Sequence, residues 1–323
     1  MRILITGGAG FIGSHLAERC LSEGWTVSIL DDLSTGSFGN VLHLQGHPRF
    51  SCRIDTVFNS NTVCEMVDDA DLVFHFAAAV GVRLLVESPV RTIETNVRGT
   101  EVVLAAVAKK SKPVFLASTS EVYGKSTDFP FREDSDLLLG PTSRSRWGYA
   151  CSKILDEFLG LAYYAEKKVP VSVVRFFNTV GTRQTGRYGM VLPNFVRQAL
   201  ANEPITVHGD GEQSRCFAYV GDVVEALILL VKSGKSVGEI VNIGNDEEIS
   251  INALASLVID VTGSRSNIIH LSYDDAYRPG FEDILRRIPC LEKLQRLTGY
   301  RPTTPLRKIV ELMVADHSAV ALN

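Results

Sequence analysis

The sequence predicts an α/β fold, a doubly wound parallel sheet joined to a smaller, mainly helical C-terminal domain, and three observations predict it. Short apolar runs alternate with longer segments of helical period up to about Val180. A glycine-rich turn lies directly between the first of these runs and the first helical segment. Beyond Gly181 the alternation breaks down and helical segments predominate.

The runs Ile3-Leu4-Ile5, Val27-Ser28-Ile29-Leu30, Leu72-Val73-Phe74-His75-Phe76, Pro113-Val114-Phe115-Leu116 and Val171-Ser172-Val173-Val174 are short and nearly continuous in apolar residues. That is the pattern of strands covered on both faces. Helices are expected between them at residues 13–24, 89–110 and 149–168. A loop over 181–189 leads to a helix at 192–201 and a strand at Ile205-Thr206-Val207. Asp222 is expected to cap a helix over 223–232, after which Ile240-Val241-Asn242-Ile243 returns a strand to the first domain. With no repeat or linker in sight, the two domains are expected to share chain segments. Residues 1–178 with about 217–245 form the first, and 179–216 with 246–323 the second.

A chain of 323 residues with 45% hydrophobic content can bury a core of this size. Its 33 basic and 37 acidic side chains are spread along the chain, net charge −4, so no basic stripe invites nucleic acid. Six cysteines without a C-x-x-C pair suggest neither a metal site nor a disulfide framework, and fit a reducing cytoplasm. The first strand starts at Arg2, so no signal peptide is expected. The longest uncharged apolar stretch, residues 72–82, is too short to span a bilayer, and no membrane association is expected.

Gly7-Gly8-Ala9-Gly10-Phe11-Ile12-Gly13 has the spacing G-x-x-G-x-x-G in the strand-to-helix setting that gives it meaning. Glycines there let the backbone turn tightly and approach a pyrophosphate at the helix N-terminus. Asp31 and Asp32 follow the second strand where a carboxylate would accept a hydrogen bond from a ribose 2′-hydroxyl, which favours NAD over NADP. Asp31, nearest the strand end, is the better placed, while Asp32 has capping of the following turn as an alternative. Asp55, after Phe50-Ser51-Cys52-Arg53-Ile54, could meet the adenine amino group or belong to a solvated loop.

Tyr149-Ala150-Cys151-Ser152-Lys153 places a phenol and an ammonium one helical turn apart. A nearby cation favours the phenolate and moves tyrosine from its usual value of about 10 toward that of a general base. Ser118 and Thr119, ending a strand, could bring two hydroxyls to the same substrate oxygen.

With these motifs the chain resembles the extended short-chain dehydrogenase/reductase family of nucleotide-sugar epimerases, dehydratases and decarboxylases, whose sheet is of the Rossmann type. The likeness runs nearly end to end, through His75-Phe76-Ala77-Ala78, Asn96-Val97-Arg98-Gly99-Thr100, residues 118–124, Arg175-Phe176-Phe177-Asn178-Thr179-Val180-Gly181 and Gln213-Ser214-Arg215-Cys216-Phe217-Ala218-Tyr219-Val220. It implies an NAD site built from Gly7, Gly10, Phe11, Ile12, Gly13, Asp31, Asp32, Asp55, Ala77, Ala78, Asn96, Tyr149 and Lys153. It also implies a nucleotide-sugar site with Ser120, Asn178 and Arg215, a UDP-sugar substrate and a homodimer. The apolar helix faces around residues 102–106 and 155–162 suit such a dimer, or equally the core. One departure from many relatives precedes Tyr149, where Arg146-Trp147-Gly148 replaces a Pro-Tyr-Gly type sequence.

In this family Tyr149 would take the proton of a ring hydroxyl while hydride leaves the same carbon for the nicotinamide, giving a 4-keto sugar. Ser120 stands where 4,6-dehydratases hold an acid beside the glutamate, which weakens that reading. Thr119-Ser120-Glu121 instead resembles UDP-glucuronate decarboxylases. Arg287, near the C-terminal Pro289, aligns with an arginine that contributes to catalysis in those enzymes. Thr119, Glu121, Tyr149, Lys153 and Arg287 are then the expected catalytic set, with Glu121 positioning the uronate carboxylate or relaying a proton to C5. Alternatively Glu121 anchors its loop, Arg287 pairs with Glu282 or Asp283, and the enzyme is a 4-epimerase. A non-catalytic NAD-binding sensor on the same fold is a further class, against which the intact Thr119, Tyr149 and Lys153 argue.

Overall fold

A computed structural model of the chain describes residues 1–81, 87–186, 189–272 and 284–320. The sheet strands are β1 (Arg2–Thr6), β2 (Thr26–Asp31), β3 (Phe50–Ile54), β4 (Leu72–His75), β5 (Val114–Thr119) and β6 (Val171–Phe176). Outside or returning to it follow β7 (Thr179–Val180), β8 (Ile205–His208), β9 (Ser214–Cys216), β10 (Ala218–Tyr219), β11 (Ile240–Ile243), β12 (Glu248–Ser250) and β13 (Ile268–Leu271). Seven strands form one sheet in the order β3-β2-β1-β4-β5-β6-β11, every neighbour parallel. The order reverses between β1 and β4, which opens a crevice at their C-terminal ends.

The continuous apolar character of these strands has a direct structural cause. Alternate residues of β1 enter different cores: Ile3 and Ile5 pack with Val27, Ile29 and Phe74 on one face, and Leu4 with Leu30, Val73 and Val103 on the other. Each such side chain withdrawn from water contributes about 1.5–3 kcal/mol. Helices Phe11–Ser22 and Val220–Ser233 cover the first face. Helices Ser60–Asp69, Pro89–Ala108 and Arg146–Lys167 cover the second. The last of these ends at Lys168 in a left-handed conformation, φ 56°, that releases the chain into β6.

A third core lies apart from the sheet, with Leu192, Phe195, Val207, Leu254, Val258, Ile309 and Val310 at its centre. It gathers helices Val191–Leu200, Ile251–Thr262 and Leu306–Val320. Next to them β13 pairs with β8, so the helical C-terminal part also carries a strand that periodicity did not reveal.

One expected element boundary is corrected. Helix Val220–Ser233 begins before Asp222, and Tyr219 occupies its N-cap position. Asp222 sits inside the first turn, where its carboxylate accepts from the Tyr300 hydroxyl at 3.1 Å and the Thr304 amide at 3.0 Å. It ties the C-terminal segment to this helix instead of capping it. Among the described residues no helix is long and apolar enough to cross a membrane.

Candidate active site

A cleft of about 1260 Å³ runs over the C-terminal ends of the strands, bordered by the glycine turn, the segment after β4, the end of β5 and the start of helix Arg146–Lys167. Gly7 adopts φ 73°, its amide donates to the Leu30 carbonyl at 2.8 Å, and a Cβ there would stand 2.7 Å from the Ala77 nitrogen. A Cβ on Gly13 would collide with the Gly7 carbonyl. The turn is therefore closed so tightly that only glycine fits at either position. Gly10 caps the helix without a side-chain bond, and Gly7, Gly10, Phe11, Ile12 and Gly13 all border the cleft. The unpaired N–H groups of a first helical turn and the helix dipole suit an anionic pyrophosphate.

The two aspartates separate by environment. Asp31 is buried, accepts from the amides of Ala9 at 2.9 Å and Leu33 at 2.8 Å, and still borders the cleft. Burial pushes its carboxyl up, against those two bonds. Asp32 also borders the cleft but is exposed and closes a turn by accepting from the Ser34 amide at 2.9 Å. Asp55 reaches the cleft too, its carboxylate held by the Thr62 hydroxyl at 2.7 Å, the Thr56 amide at 2.8 Å and Asn59 at 2.8 Å. The bond from Thr62, above all, holds its carboxyl below the usual range. Ala77 and Ala78 line the wall. Asn96 is not among the residues that border the cleft. Its side chain is buried and spent on the Ala79 amide at 2.9 Å and the Ser152 hydroxyl at 3.1 Å, so it fixes the segment after β4 against the helix of Tyr149.

Helix Arg146–Lys167 delivers Tyr149 and Lys153 together to the cleft. Thr119, the last residue of β5, shares a hydrogen bond with the Tyr149 phenol. The expected effect of Lys153 on that phenol is not what the structure shows. Tyr149 is pushed up, first by burial and then by the charge of Glu121, with the Thr119 bond opposing. The Lys153 ammonium is engaged elsewhere, donating to Asp156 at 2.7 Å with both side chains almost wholly buried. Its charge is already balanced. Ser118 is a second correction: its hydroxyl donates to Glu157, which is clamped in turn by Arg175 at 2.9 and 2.7 Å. Of the two strand-end hydroxyls, Thr119 alone turns to Tyr149.

Beyond Tyr149 three charged side chains converge. Glu121 sits in the short 3₁₀ turn Ser120–Tyr123, where its amide donates to the Thr119 hydroxyl at 3.2 Å. Its carboxylate meets Arg287 at 2.8 Å, and Arg146 at 3.1 Å through one oxygen and 2.7 Å through the other. Arg146 is 3% exposed and Glu121 9%. All three border the cleft. Glu282 and Asp283, the partners considered for Arg287, lie outside the described residues. Arg146 was missed as a site residue. Its signal was the departure from the family pattern one helical turn before Tyr149, which places it on the same helix face.

Ser120, Asn178 and Arg215 border the same cleft. Asn178, at φ 33°, donates to the Cys216 carbonyl at 2.9 Å, and Arg215 donates to the Ser214 carbonyl at 2.7 Å and the Leu285 carbonyl at 3.3 Å.

Known proteins give this geometry a context. A UDP-N-acetyl-alpha-D-glucosaminuronate decarboxylase from Bacillus cytotoxicus is 44% identical over 93% of this chain and 92% of its own. UDP-glucuronic acid decarboxylase 1 of Danio rerio is 36% identical, covering 95% of this chain and 70% of that protein. Among solved structures, a UDP-glucuronic acid 4-epimerase from Bacillus cereus, in complex with UDP-glucuronic acid and NAD, superposes with a TM-score of 0.88 at 28% identity, over 99% of this chain and 100% of that one. The model of the NAD dependent epimerase/dehydratase family matches residues 3–244, and the chain belongs to that family.

Proposed function

We propose that the protein is an NAD-dependent decarboxylase of a UDP-hexuronate, acting through a 4-keto sugar. The observation that carries this reading is the pairing of Glu121 with both Arg146 and Arg287 beside Tyr149. Two guanidiniums thus stand in a largely buried corner of the cleft, beside the expected base. A substrate carboxylate would accept charge-assisted hydrogen bonds from these guanidiniums, which a neutral hexose cannot match. The decarboxylases of UDP-uronates among the relatives support the same substrate class.

The cleft fits a dinucleotide: the Gly7–Gly13 turn suits its pyrophosphate and Asp31 its ribose hydroxyls. When bound, NAD supplies the hydride acceptor that makes C4 a ketone and returns the hydride at the end. Tyr149 takes the C4 hydroxyl proton, with Thr119 bonded to its phenol oxygen. Arg287 and Arg146 hold the C6 carboxylate while the C5–C6 bond breaks and its electron pair moves into the C4 ketone. Carbon dioxide leaves. Glu121 is the group assigned to relaying the proton that C5 then gains. Asn178 and Arg215 are assigned to the diphosphate, and the bed for the nucleotide sugar to residues 179–216 and 246–323, which the third core supports.

The reading includes a cytoplasmic homodimer. Cys151, Leu155, Phe158 and Ala162 recur at helical spacing as an exposed stripe on helix Arg146–Lys167, Phe158 at 68% exposure. Val103, Leu104 and Ala106, by contrast, belong to the core.

A 4-epimerase of the same uronate is the second reading, favoured by the Bacillus cereus relative and equally in need of positive charge. Incubation with NAD and either UDP-glucuronate or UDP-N-acetylglucosaminuronate, followed by mass spectrometry of the products, separates the two. A pentose nucleotide lacking the carboxyl group supports decarboxylation, and an isomer of unchanged mass supports epimerisation. No turnover of any nucleotide sugar would overturn both.

A further inference from the structure

Asp156 is a buried carboxylate that the reaction above does not use. It is 2% exposed, is not among the residues bordering the cleft, and lies one helical turn beyond Lys153. Its Oδ2 accepts from the Lys153 ammonium at 2.7 Å. We propose that Asp156 is a positioning residue for the Tyr149–Lys153 pair, holding Lys153 in a neutral ion pair so that the phenol keeps its proton until the positive charge of an oxidised nicotinamide enters the cleft. The proposal rests on the reading of Tyr149 as the base.

The surroundings of the pair support it. On the same helix, Glu157 is matched by Arg175 and Arg146 by Glu121. From β4, His75 contributes no charge at neutral pH: burial pushes it down to about 3, and its ring is held between the Thr6 hydroxyl at 2.8 Å and the Thr100 hydroxyl at 3.2 Å. Helix Pro89–Ala108 offers uncharged Asn96 and Thr100, the latter near enough to Asp156 to favour its carboxylate. From the turn after β5, Glu121 faces Tyr149 with Arg287 upon it. Second to burial, Glu121 and Asp156 each disfavour the Tyr149 phenolate, although Glu121 is matched by Arg146 and Arg287 and Asp156 by Lys153. Neutralising Asp156 removes one of these two negative charges and releases the full charge of Lys153 toward Tyr149.

The consequence is a coupling between cofactor state and base strength. Buried, and with the neighbouring Lys153 held in a neutral pair, Tyr149 stays a phenol. One added positive charge nearby then favours the phenolate when hydride is to be accepted.

The test is an absorbance titration of tyrosinate in the NAD⁺-loaded protein, taken as the difference from Y149F, because eight other tyrosines absorb as well. Asp156→Asn is expected to lower the Tyr149 midpoint by about one pH unit, the size of one unit charge removed at about 10 Å in a partly shielded interior. Asp156→Glu, which keeps the charge, is expected to restore the wild-type midpoint. Asp156→Ser removes the charge with a smaller side chain and serves if the asparagine variant does not fold. A midpoint unchanged in the folded, charge-free variant would overturn the proposal even if the wild type decarboxylates normally. Failure of the wild type to turn over any nucleotide sugar would strike the functional reading instead and leave the titration readable.

Discussion

Glu121 and Arg287 are 166 residues apart in the chain and meet at 2.8 Å across the cleft. The contact joins the end of β5 to the segment before Pro289, so it forms only when the C-terminal part has docked onto the sheet. Arg146 reaches the same carboxylate from the helix of Tyr149. The base proposed for the ring hydroxyl and the arginines proposed for the carboxylate thereby stand side by side.

Arg287→Ala is expected to lower kcat/KM for a UDP-hexuronate by about 10²-fold, near 3 kcal/mol, the worth of one or two charge-assisted hydrogen bonds. Glu121 retains Arg146, so the variant should stay folded. Steady-state kinetics beside the affinity for free UDP check this: a parallel loss of UDP affinity would place Arg287 on the nucleotide and not on the carboxylate.

Tyr149→Phe removes the proton acceptor while filling nearly the same volume. Turnover should fall by about 10²–10⁴. NAD binding, followed by calorimetry, and the melting temperature should change little. Residual turnover near the wild-type level would mean another group takes the proton.

The glycine turn gives a cofactor prediction. On Gly13→Ala the new Cβ meets the Gly7 carbonyl, so the turn must open and the helix start must move. Overpacking of this kind costs about 1–3 kcal/mol, and NAD affinity should fall with stability. An unchanged dissociation constant for NAD would show that the turn is not its cradle.

Under the strand-end hydroxyls, Glu157 and Arg175 form a two-bonded pair with both side chains 5% exposed or less. Arg175→Ala strands a buried carboxylate and should cost about 3–5 kcal/mol in urea unfolding. The double variant Arg175→Met, Glu157→Leu should recover much of that loss. If it does not, the pair supports the fold through more than its charge balance.

His75 sets an acid-side limit. Its folded value of about 3 lies below the usual 6.5, so the unfolded chain binds the extra proton between these values. Stability from this residue is complete above about pH 6.5 and declines as pH falls, by about 2 kcal/mol at pH 5. Replacing it by glutamine, which can still bond Thr6 and Thr100, should flatten the slope of unfolding free energy between pH 7 and 5. An equal slope in both proteins would assign the acid sensitivity elsewhere.

Much of the fold was legible because a strand covered on both faces leaves a continuous apolar run, as Ile3-Leu4-Ile5 shows by splitting between two cores. The strand β13 was not, since Ile268-Ile269-His270-Leu271 is only half covered and short. Asp222 misled because an acid near a helix start suits both a cap and a first-turn residue. The glycine turn and the Tyr-Lys spacing were local and readable. Arg146 and Asp156 were not, for opposite reasons. The partner of Arg146 is 25 residues away, whereas Asp156 sits in an acidic pair with Glu157 that reads as a solvated face until burial is known.

The central claim is that this cleft removes the carboxyl group of a UDP-hexuronate. Following the fate of carbon-13 placed at C6 of UDP-glucuronate or UDP-N-acetylglucosaminuronate, in the presence of NAD, tests it most directly. The account predicts labelled carbon dioxide released in step with an unlabelled pentose nucleotide, and none from Tyr149→Phe. Label retained in a sugar inverted at C4 would contradict it.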